Sequence, residues 1–122
     1  MHNYKELNVW KRAIRLCAVI YKLTANFPNE ERFGLISQMR RASVSVPSNI
    51  AEGGGRRTDN EFLHFLGVSH GSLCELETQL FISVELEFVT IDQILPISEE
   101  ITEIQKMLYA LIQKFESKGK RV

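Results

Sequence analysis

Arginine side chains flank one predicted helix end in this chain. Arg40 and Arg41 precede that end, Arg56 and Arg57 follow it, and residues 53–55, all glycine, lie between the two pairs. A guanidinium group keeps its charge and can form paired hydrogen bonds with a carboxylate or a phosphate. The segment therefore predicts either an ion-paired surface that holds an assembly together or a contact with nucleic acid.

The first interpretation is an ion-pair network at or near a subunit interface. Met39 and Ala42 belong to the apolar stripe of the predicted second helix, so the two arginines between them flank that stripe. A partly buried network of arginine and glutamate can fix the register of packed helices. The predicted network consists of Arg40, Arg41, Glu52, Arg56 and Glu61.

The second interpretation is direct contact with phosphate groups. Arg56 and Arg57 precede the third predicted helix, whose N-terminal N–H groups also attract anions. Arg12 and Arg15 lie largely off the apolar stripe of the first helix, and we expect them to contact phosphates as well. Binding should then weaken steeply with salt, because each neutralised phosphate releases counterions. The residues alone leave both interpretations open.

The sequence predicts no metal site. Glu61 and His64 have the Glu-x-x-His spacing of di-iron helical bundles, but such bundles need two copies of it and this chain has one. His2 lies in an N-terminal segment that we expect to be mobile. We therefore expect no metal ligand among these residues.

Catalytic and cofactor-binding patterns are also absent from the sequence. The glycines at 53–55 lack the Gly-x-x-x-x-Gly-Lys spacing of a nucleotide-binding loop, and no serine or cysteine nucleophile has a local signature. Cys17 and Cys74 each lie within an apolar helical pattern, which predicts two buried thiols rather than a disulfide. We expect no catalytic residue, no cofactor and no enzyme activity.

Charge is distributed unevenly along a chain that is neutral overall. Residues 1–60 carry ten Lys and Arg against five Asp and Glu, whereas residues 61–122 carry five against ten. Such a chain can pair with copies of itself or offer one basic face to an anion. General nucleic-acid-binding proteins, however, usually have a net positive charge. No apolar run approaches the roughly 20 residues of a membrane helix, and no signal pattern opens the chain, so we expect a cytoplasmic protein without a membrane partner.

Apolar periodicity predicts four helices and no strand. The first covers about residues 7–24, the second begins near Glu30 or Glu31 and carries an internal Pro47, and the third follows a capping box at Thr58. The fourth ends in a frayed basic tail at residues 117–122. The stripe of the first helix is predicted to contain Trp10, Ala13, Ile14, Cys17, Ile20 and Tyr21. The stripe of the second is predicted to contain Leu35, Met39, Ala42, Val46 and Ile50. We predict an all-α fold, an antiparallel up-down-up-down four-helix bundle, in which residues 1–122 form a single domain.

Six short motifs add a resemblance to this reading. They are Leu7-x-Val9-Trp10-x-x-Ala13, Ile20-Tyr21-x-Leu23-Thr24-x-x-Phe27-Pro28-x-x-Glu31, Gly34-Leu35-x-x-Gln38-Met39-Arg40-Arg41-Ala42, Asn49-Ile50-Ala51-Glu52-Gly53-x-Gly55-Arg56, Glu61-Phe62-x-x-Phe65-Leu66 and Gly71-Ser72-x-x-Glu75-Leu76-Glu77-x-x-Leu80. The six motifs occur in this order, and with them the chain resembles the four helix bundle proteins encoded in bacterial 23S rRNA intervening sequences. Members of that family are sometimes named as ribosomal proteins.

The resemblance implies a homopentamer without enzyme activity. The accessory variability proteins of diversity-generating retroelements are similar in fold, and they are pentameric, nucleic-acid-binding partners of a reverse transcriptase. Those proteins are strongly basic, whereas this chain is neutral. We therefore expect a non-catalytic homo-oligomer that associates with structured RNA or another nucleic acid. The alternative is an oligomeric scaffold that binds a protein partner, through its basic N-terminal half, and no nucleic acid.

Overall fold

The computed structural model describes residues 1–119, and in these residues the chain is helical without any β-strand. The four long helices are α1 (Asn8–Thr24), α2 (Leu35–Gly54), α3 (Asp59–Glu85) and α4 (Ile91–Gly119). Two short 3-10 helices, Tyr4–Glu6 and Asn29–Glu31, precede α1 and α2. The predicted all-α fold with four helices is confirmed. Residues 120–122 of the predicted basic tail lie outside the described residues.

One apolar core lies between the four helices. Each helix packs against the next along the chain, and α4 also contacts α1. The predicted stripe of α2 is confirmed, because all of its members are buried. These members are Leu35, Met39, Ala42, Val46 and Ile50. Burying one such large side chain contributes roughly 1.5–3 kcal/mol, so this stripe is a main source of the contact between α2 and its neighbours.

The predicted stripe of α1 is wrong in part. Ile14 and Tyr21 are 42% and 43% exposed, whereas Leu16 is buried in the core. The buried residues of α1 are Val9, Ala13, Leu16, Ile20 and Thr24. Apolar side chains occupy two neighbouring faces of this helix, and spacing alone could not tell which face packs inward. Thr24 is tolerated in the core because its hydroxyl donates to the Ile20 carbonyl at 2.8 Å.

α2 begins later than the predicted start at Glu30 or Glu31. These two residues end a 3-10 turn, and the α-helix starts at Leu35 after Gly34. Glu31 still serves the helix, because its carboxylate accepts the Leu35 N–H at 3.2 Å. An acidic side chain suits this place, since the N–H groups of a first helical turn have no partner in the helix.

Pro47 lies inside α2, and neighbouring helices bind the backbone around it. A proline has no N–H, so the Ser43 carbonyl loses its usual helical donor. The Cys17 thiol of α1 donates to that carbonyl at 3.0 Å, and the Ser69 hydroxyl of α3 donates to the Val46 carbonyl at 2.8 Å. The α2 backbone around the proline is therefore hydrogen-bonded to side chains of both α1 and α3.

The two cysteines differ in their surroundings. Cys17 is half-buried, and this burial raises the pKa of its thiol. Cys74 is exposed on α3, with its sulfur 3.9 Å from Nδ1 of His70. The prediction of two buried thiols is therefore wrong for Cys74, because the apolar pattern around it belongs to the opposite face of α3.

The N-terminal segment is docked rather than mobile. The His2 N–H donates to the Gly54 carbonyl at 2.7 Å, and its ring stacks on Phe62 with 4.5 Å between the ring centroids. Its Nε2 also lies 3.1 Å from an oxygen of Asp59, and the Phe115 ring meets it edge-on. The expectation of a mobile His2 is wrong, because the aromatic side chains at this end of the fold provide a binding surface for it.

Candidate arginine-lined interaction surfaces

The turn between α2 and α3 collects part of the predicted ion-pair network. Arg56 pairs with Glu52 at 2.6 Å and approaches Glu61 at 3.9 Å. Its guanidinium also lies 5.0 Å from the centre of the Phe65 ring. Thr58 caps α3 by accepting the Glu61 N–H at 3.2 Å, and its hydroxyl donates to the Glu61 carboxylate at 3.1 Å, which confirms Thr58 as the predicted cap. Three of the five predicted network residues thus meet, and they do so through short-range contacts.

These pairs lie on the surface. The side chains of Arg56, Glu52 and Glu61 are 43%, 54% and 44% exposed. Exposed ion pairs of this kind contribute about 0.2–1 kcal/mol, because water screens them and ordering the side chains costs entropy. The cluster therefore orders the turn between α2 and α3 more than it stabilises the fold.

Arg40 and Arg41 do not join this cluster within one chain. Arg40 and Glu52 are twelve positions apart on α2, which is about 18 Å along the axis. Arg40 instead donates to the Thr24 hydroxyl at 2.9 Å and to the Tyr21 carbonyl at 3.3 Å. Arg41 is exposed and forms no ion pair within residues 1–119. A single network within the protomer is therefore excluded by helix geometry.

Arg12 binds a carboxylate that the sequence did not predict. Its Nε donates to Oε2 of Glu100 at 3.0 Å, and Nη2 donates to the other carboxylate oxygen. The hydrogen bond that Arg12 donates to the Glu100 carboxylate raises the pKa of Arg12. The Met107 sulfur lies 3.7 Å from Nη1. This pair connects α1 to α4 and already occupies the guanidinium that was predicted to contact phosphate.

Arg15 and Arg57 remain accessible to an external anion. Both side chains are exposed, and neither forms an ion pair in the part of the chain that the structure describes. Arg15 lines a groove between α1 and α4, whereas Arg57 lies in the turn before α3. Of the four residues predicted to contact phosphate, these two keep their guanidinium groups without a carboxylate, and Arg12 and Arg56 do not.

A further arginine-lined surface lies between α1 and α2. It is an open pocket of about 470 Å³ that contains three arginines and no carboxylate. Its lining residues are Tyr21, Arg32, Phe33, Ile36, Ser37, Arg40, Arg41 and Val44. We call this set the α1–α2 pocket.

Sequence reasoning missed Arg32 and Phe33 as members of a surface. Phe33 is 90% exposed, and the Arg32 guanidinium lies 5.7 Å from the centre of its ring. The signal was present, because Phe33 precedes the buried Leu35 by two residues and so falls off the core stripe of α2. An aromatic side chain beside an arginine, directly before a helix and off its stripe, marks a surface position.

Metal binding has no support in the described residues. No group of three or more His, Cys, Asp or Glu side chains there could hold a metal ion. His64, which was considered with Glu61, is exposed and lies beside the Phe65 ring. Among residues 1–119, none of the helices combines the length and apolar character that crossing a lipid bilayer requires.

Comparison with known proteins points to one family. A family model described as 23S rRNA-intervening sequence protein matches residues 5–110. A solved structure from Bacteroides thetaiotaomicron, described as a protein with unknown function from the S23 ribosomal protein family, is similar with a TM-score of 0.76. The two chains are 25% identical, and the comparison covers 85% of this chain and 97% of that one. No curated protein matches this chain significantly.

Proposed function

Because this chain belongs to the 23S rRNA-intervening sequence protein family, as its six motifs predict, we propose that it is a non-catalytic, RNA-associated protein. In this proposal the four helices run up-down-up-down, and copies of the chain assemble into a homo-oligomer, a homopentamer, in the cytoplasm. The protein acts by binding structured RNA and needs no cofactor.

The observation that carries the proposal is an excess of arginine without carboxylate partners. Residues 1–60 contain seven arginines, and only Arg12 and Arg56 form ion pairs within residues 1–119. The others are Arg15, Arg32, Arg40, Arg41 and Arg57. Guanidinium groups bind phosphate oxygens through two parallel hydrogen bonds, so the four exposed members suit the backbone of a nucleic acid. Arg40 already donates to α1 through Nε and Nη2, and it can contact a phosphate through Nη1.

Exposed apolar and small residues support self-assembly. Ile82, Leu86 and Leu95 of the α3–α4 side are 43%, 50% and 45% exposed. Gly67 and Gly71 lie on the surface of α3, and a side chain added at either would meet nothing within 4 Å. A helix from a second copy could approach closely there, because small residues let backbones come near each other.

A salt titration tests the RNA proposal. Fluorescence anisotropy would measure the Kd of the protein for a labelled RNA stem-loop at about 50 mM and 200 mM salt. If all five arginines contact phosphates, the affinity should fall roughly 100- to 500-fold between these salt concentrations. An affinity that does not change with salt, or no binding at the lower salt, would refute RNA association.

Matched variants assign the contacts. We expect Arg57→Ala and Arg15→Ala each to weaken RNA binding and to make the salt dependence shallower by about one counterion. Lys106→Ala removes a positive charge from α4 that already pairs with Glu103, so it should leave the Kd unchanged. An equal effect of all three variants would mean that net charge, and not a defined surface, controls binding.

The alternative function is an oligomeric scaffold that binds another protein. It is favoured by an apolar pocket on the α3–α4 side, lined by Phe81, Ile82, Leu86 and Ile91 among others. Native mass spectrometry separates the two proposals. A stable assembly that binds no RNA at low salt would support the scaffold and refute the RNA proposal.

A further inference from the structure

We propose that the α1–α2 pocket binds one unstacked nucleobase of single-stranded RNA together with the phosphates on either side of it. This inference rests on the proposed RNA association and names the site and the form of RNA. The pocket volume of about 470 Å³ is within the range of small-molecule sites, so a single nucleotide fits it.

Phe33 provides a flat surface for the base. Its side chain is 90% exposed, although an aromatic ring of this size usually lies in a core or an interface. Leu35, two residues later, is buried, whereas Phe33 lies in the turn before α2 and is directed away from the core. An exposed aromatic face of this kind is what single-strand-binding proteins use to stack bases, because every base has a π-face.

Tyr21 forms a second aromatic wall, and Arg40 fixes its position. The Arg40 guanidinium lies 4.5 Å from the centre of the Tyr21 ring. Its Nε donates to the Thr24 hydroxyl at 2.9 Å, and Nη2 donates to the Tyr21 carbonyl at 3.3 Å. Arg40 is thus held in place by α1, and its Nη1 remains available for a phosphate oxygen.

Arg32 and Arg41 supply the remaining phosphate contacts. Both are exposed, and neither forms an ion pair within residues 1–119. Glu31, the acidic neighbour of Arg32, directs its carboxylate to the Leu35 N–H and forms no ion pair with the arginines of the pocket within residues 1–119. The pocket therefore combines aromatic faces with positive charge, as grooves that follow a single strand do.

The chemistry of the pocket favours single-stranded RNA over other anions. An acidic peptide could pair with the arginines, but its carboxylates have no aromatic face to stack on Phe33. A duplex offers phosphates, but its bases are stacked on each other and cannot reach an aromatic side chain. An unstacked nucleotide satisfies both kinds of group at once.

The test compares two RNA probes on one set of variants. Anisotropy would measure the Kd of the full chain for a labelled eight-nucleotide single strand of mixed sequence and for a blunt duplex. We expect Phe33→Ala to raise the Kd for the single strand about 5- to 150-fold and to leave the duplex Kd unchanged. We expect Phe33→Tyr, which keeps the aromatic face, to bind like the unaltered protein. Tyr109→Ala removes an exposed aromatic ring from α4, away from the pocket, and should leave both Kd values unchanged.

Three results would overturn the inference. If the unaltered protein binds the single strand and Phe33→Ala does so equally well, the pocket is not the site, whereas RNA association stands. If the unaltered protein binds neither probe at low salt, the proposed function and the pocket fail together. If Phe33→Ala reduces the mass of the assembly while RNA binding persists, the pocket is a contact between copies. If Phe33→Ala does not fold, Arg41→Ala replaces it as the test variant. It is expected to weaken binding to both probes.

Discussion

Replacing Gly53 with alanine tests the close contact between α2 and α3. A Cβ atom at Gly53 would lie 2.7 Å from the Phe65 Cβ and 3.0 Å from the Phe62 Cδ1. The Phe65 Cβ is attached directly to the backbone of α3, so a rotamer change cannot move it away. The two helices must shift apart to accept the added methyl group.

The expected cost can be separated from helix propensity by a matched variant. Overpacking of this kind costs about 1–3 kcal/mol, while replacing glycine by alanine in a helix recovers about 0.5–1 kcal/mol. Gly67→Ala gains the same propensity term, and its Cβ would meet nothing within 4 Å. The difference in unfolding free energy between Gly53→Ala and Gly67→Ala therefore isolates the packing cost, about 1–3 kcal/mol in favour of Gly67→Ala.

Urea unfolding followed by circular dichroism measures this difference. Protein concentration must be held constant, because self-association would add to the apparent stability. If Gly53→Ala has the same unfolding free energy as Gly67→Ala, the close approach of α2 and α3 is refuted. A loss of stability in Gly67→Ala that comes with a smaller assembly would instead place Gly67 in a contact between copies.

Two further predictions follow from polar contacts of α1. Cys17 should react with iodoacetamide far more slowly than exposed Cys74, because burial raises the pKa of Cys17 and leaves less thiolate at a given pH. Its rate should still be rising above pH 8.5, the ordinary pKa of a thiol, and equal labelling of both cysteines in mass spectra would contradict this. Arg12→Ala, Glu100→Ala and the double variant should reveal a coupling energy of about 0.5–1 kcal/mol that shrinks in about 1 M salt. No coupling at low salt would mean that the pair does not connect α1 to α4.

Sequence reasoning succeeded where one helix has one apolar face. Every residue of the stripe predicted for α2 is buried, and Thr58 was correctly identified as the cap of α3. α1 was predicted less well, because Ile14 and Tyr21 form a second apolar face beside the buried one. The choice between two such faces depends on what the neighbouring helices offer, and periodicity within one helix does not contain that information.

In the candidate sites, contacts between residues close in the sequence were predictable, and contacts between distant residues were not. Arg56 lies two residues after the end of α2 and four residues from Glu52, so their pairing could be predicted from their closeness in the sequence. The partner of Arg12 lies 88 residues away, and only the packing of α4 against α1 brings Glu100 to it. The position of Phe33 off the α2 stripe indicated a surface residue, but its 90% exposure depends on the packing around it, which a sequence does not display.

The neutral total charge of the chain does not decide whether it binds RNA. At physiological salt, charges act over about 8 Å, so a ligand responds to the groups around its own site. The α1–α2 pocket has three arginines and no carboxylate among its lining residues, although the chain as a whole has equal numbers of both signs. The acidic excess belongs to residues 61–122, which contribute nothing to this pocket. The salt dependence of binding should therefore follow the number of arginines at the site, and it should become shallower in Arg41→Ala. The net charge of the chain predicts neither the salt dependence nor its change in this variant.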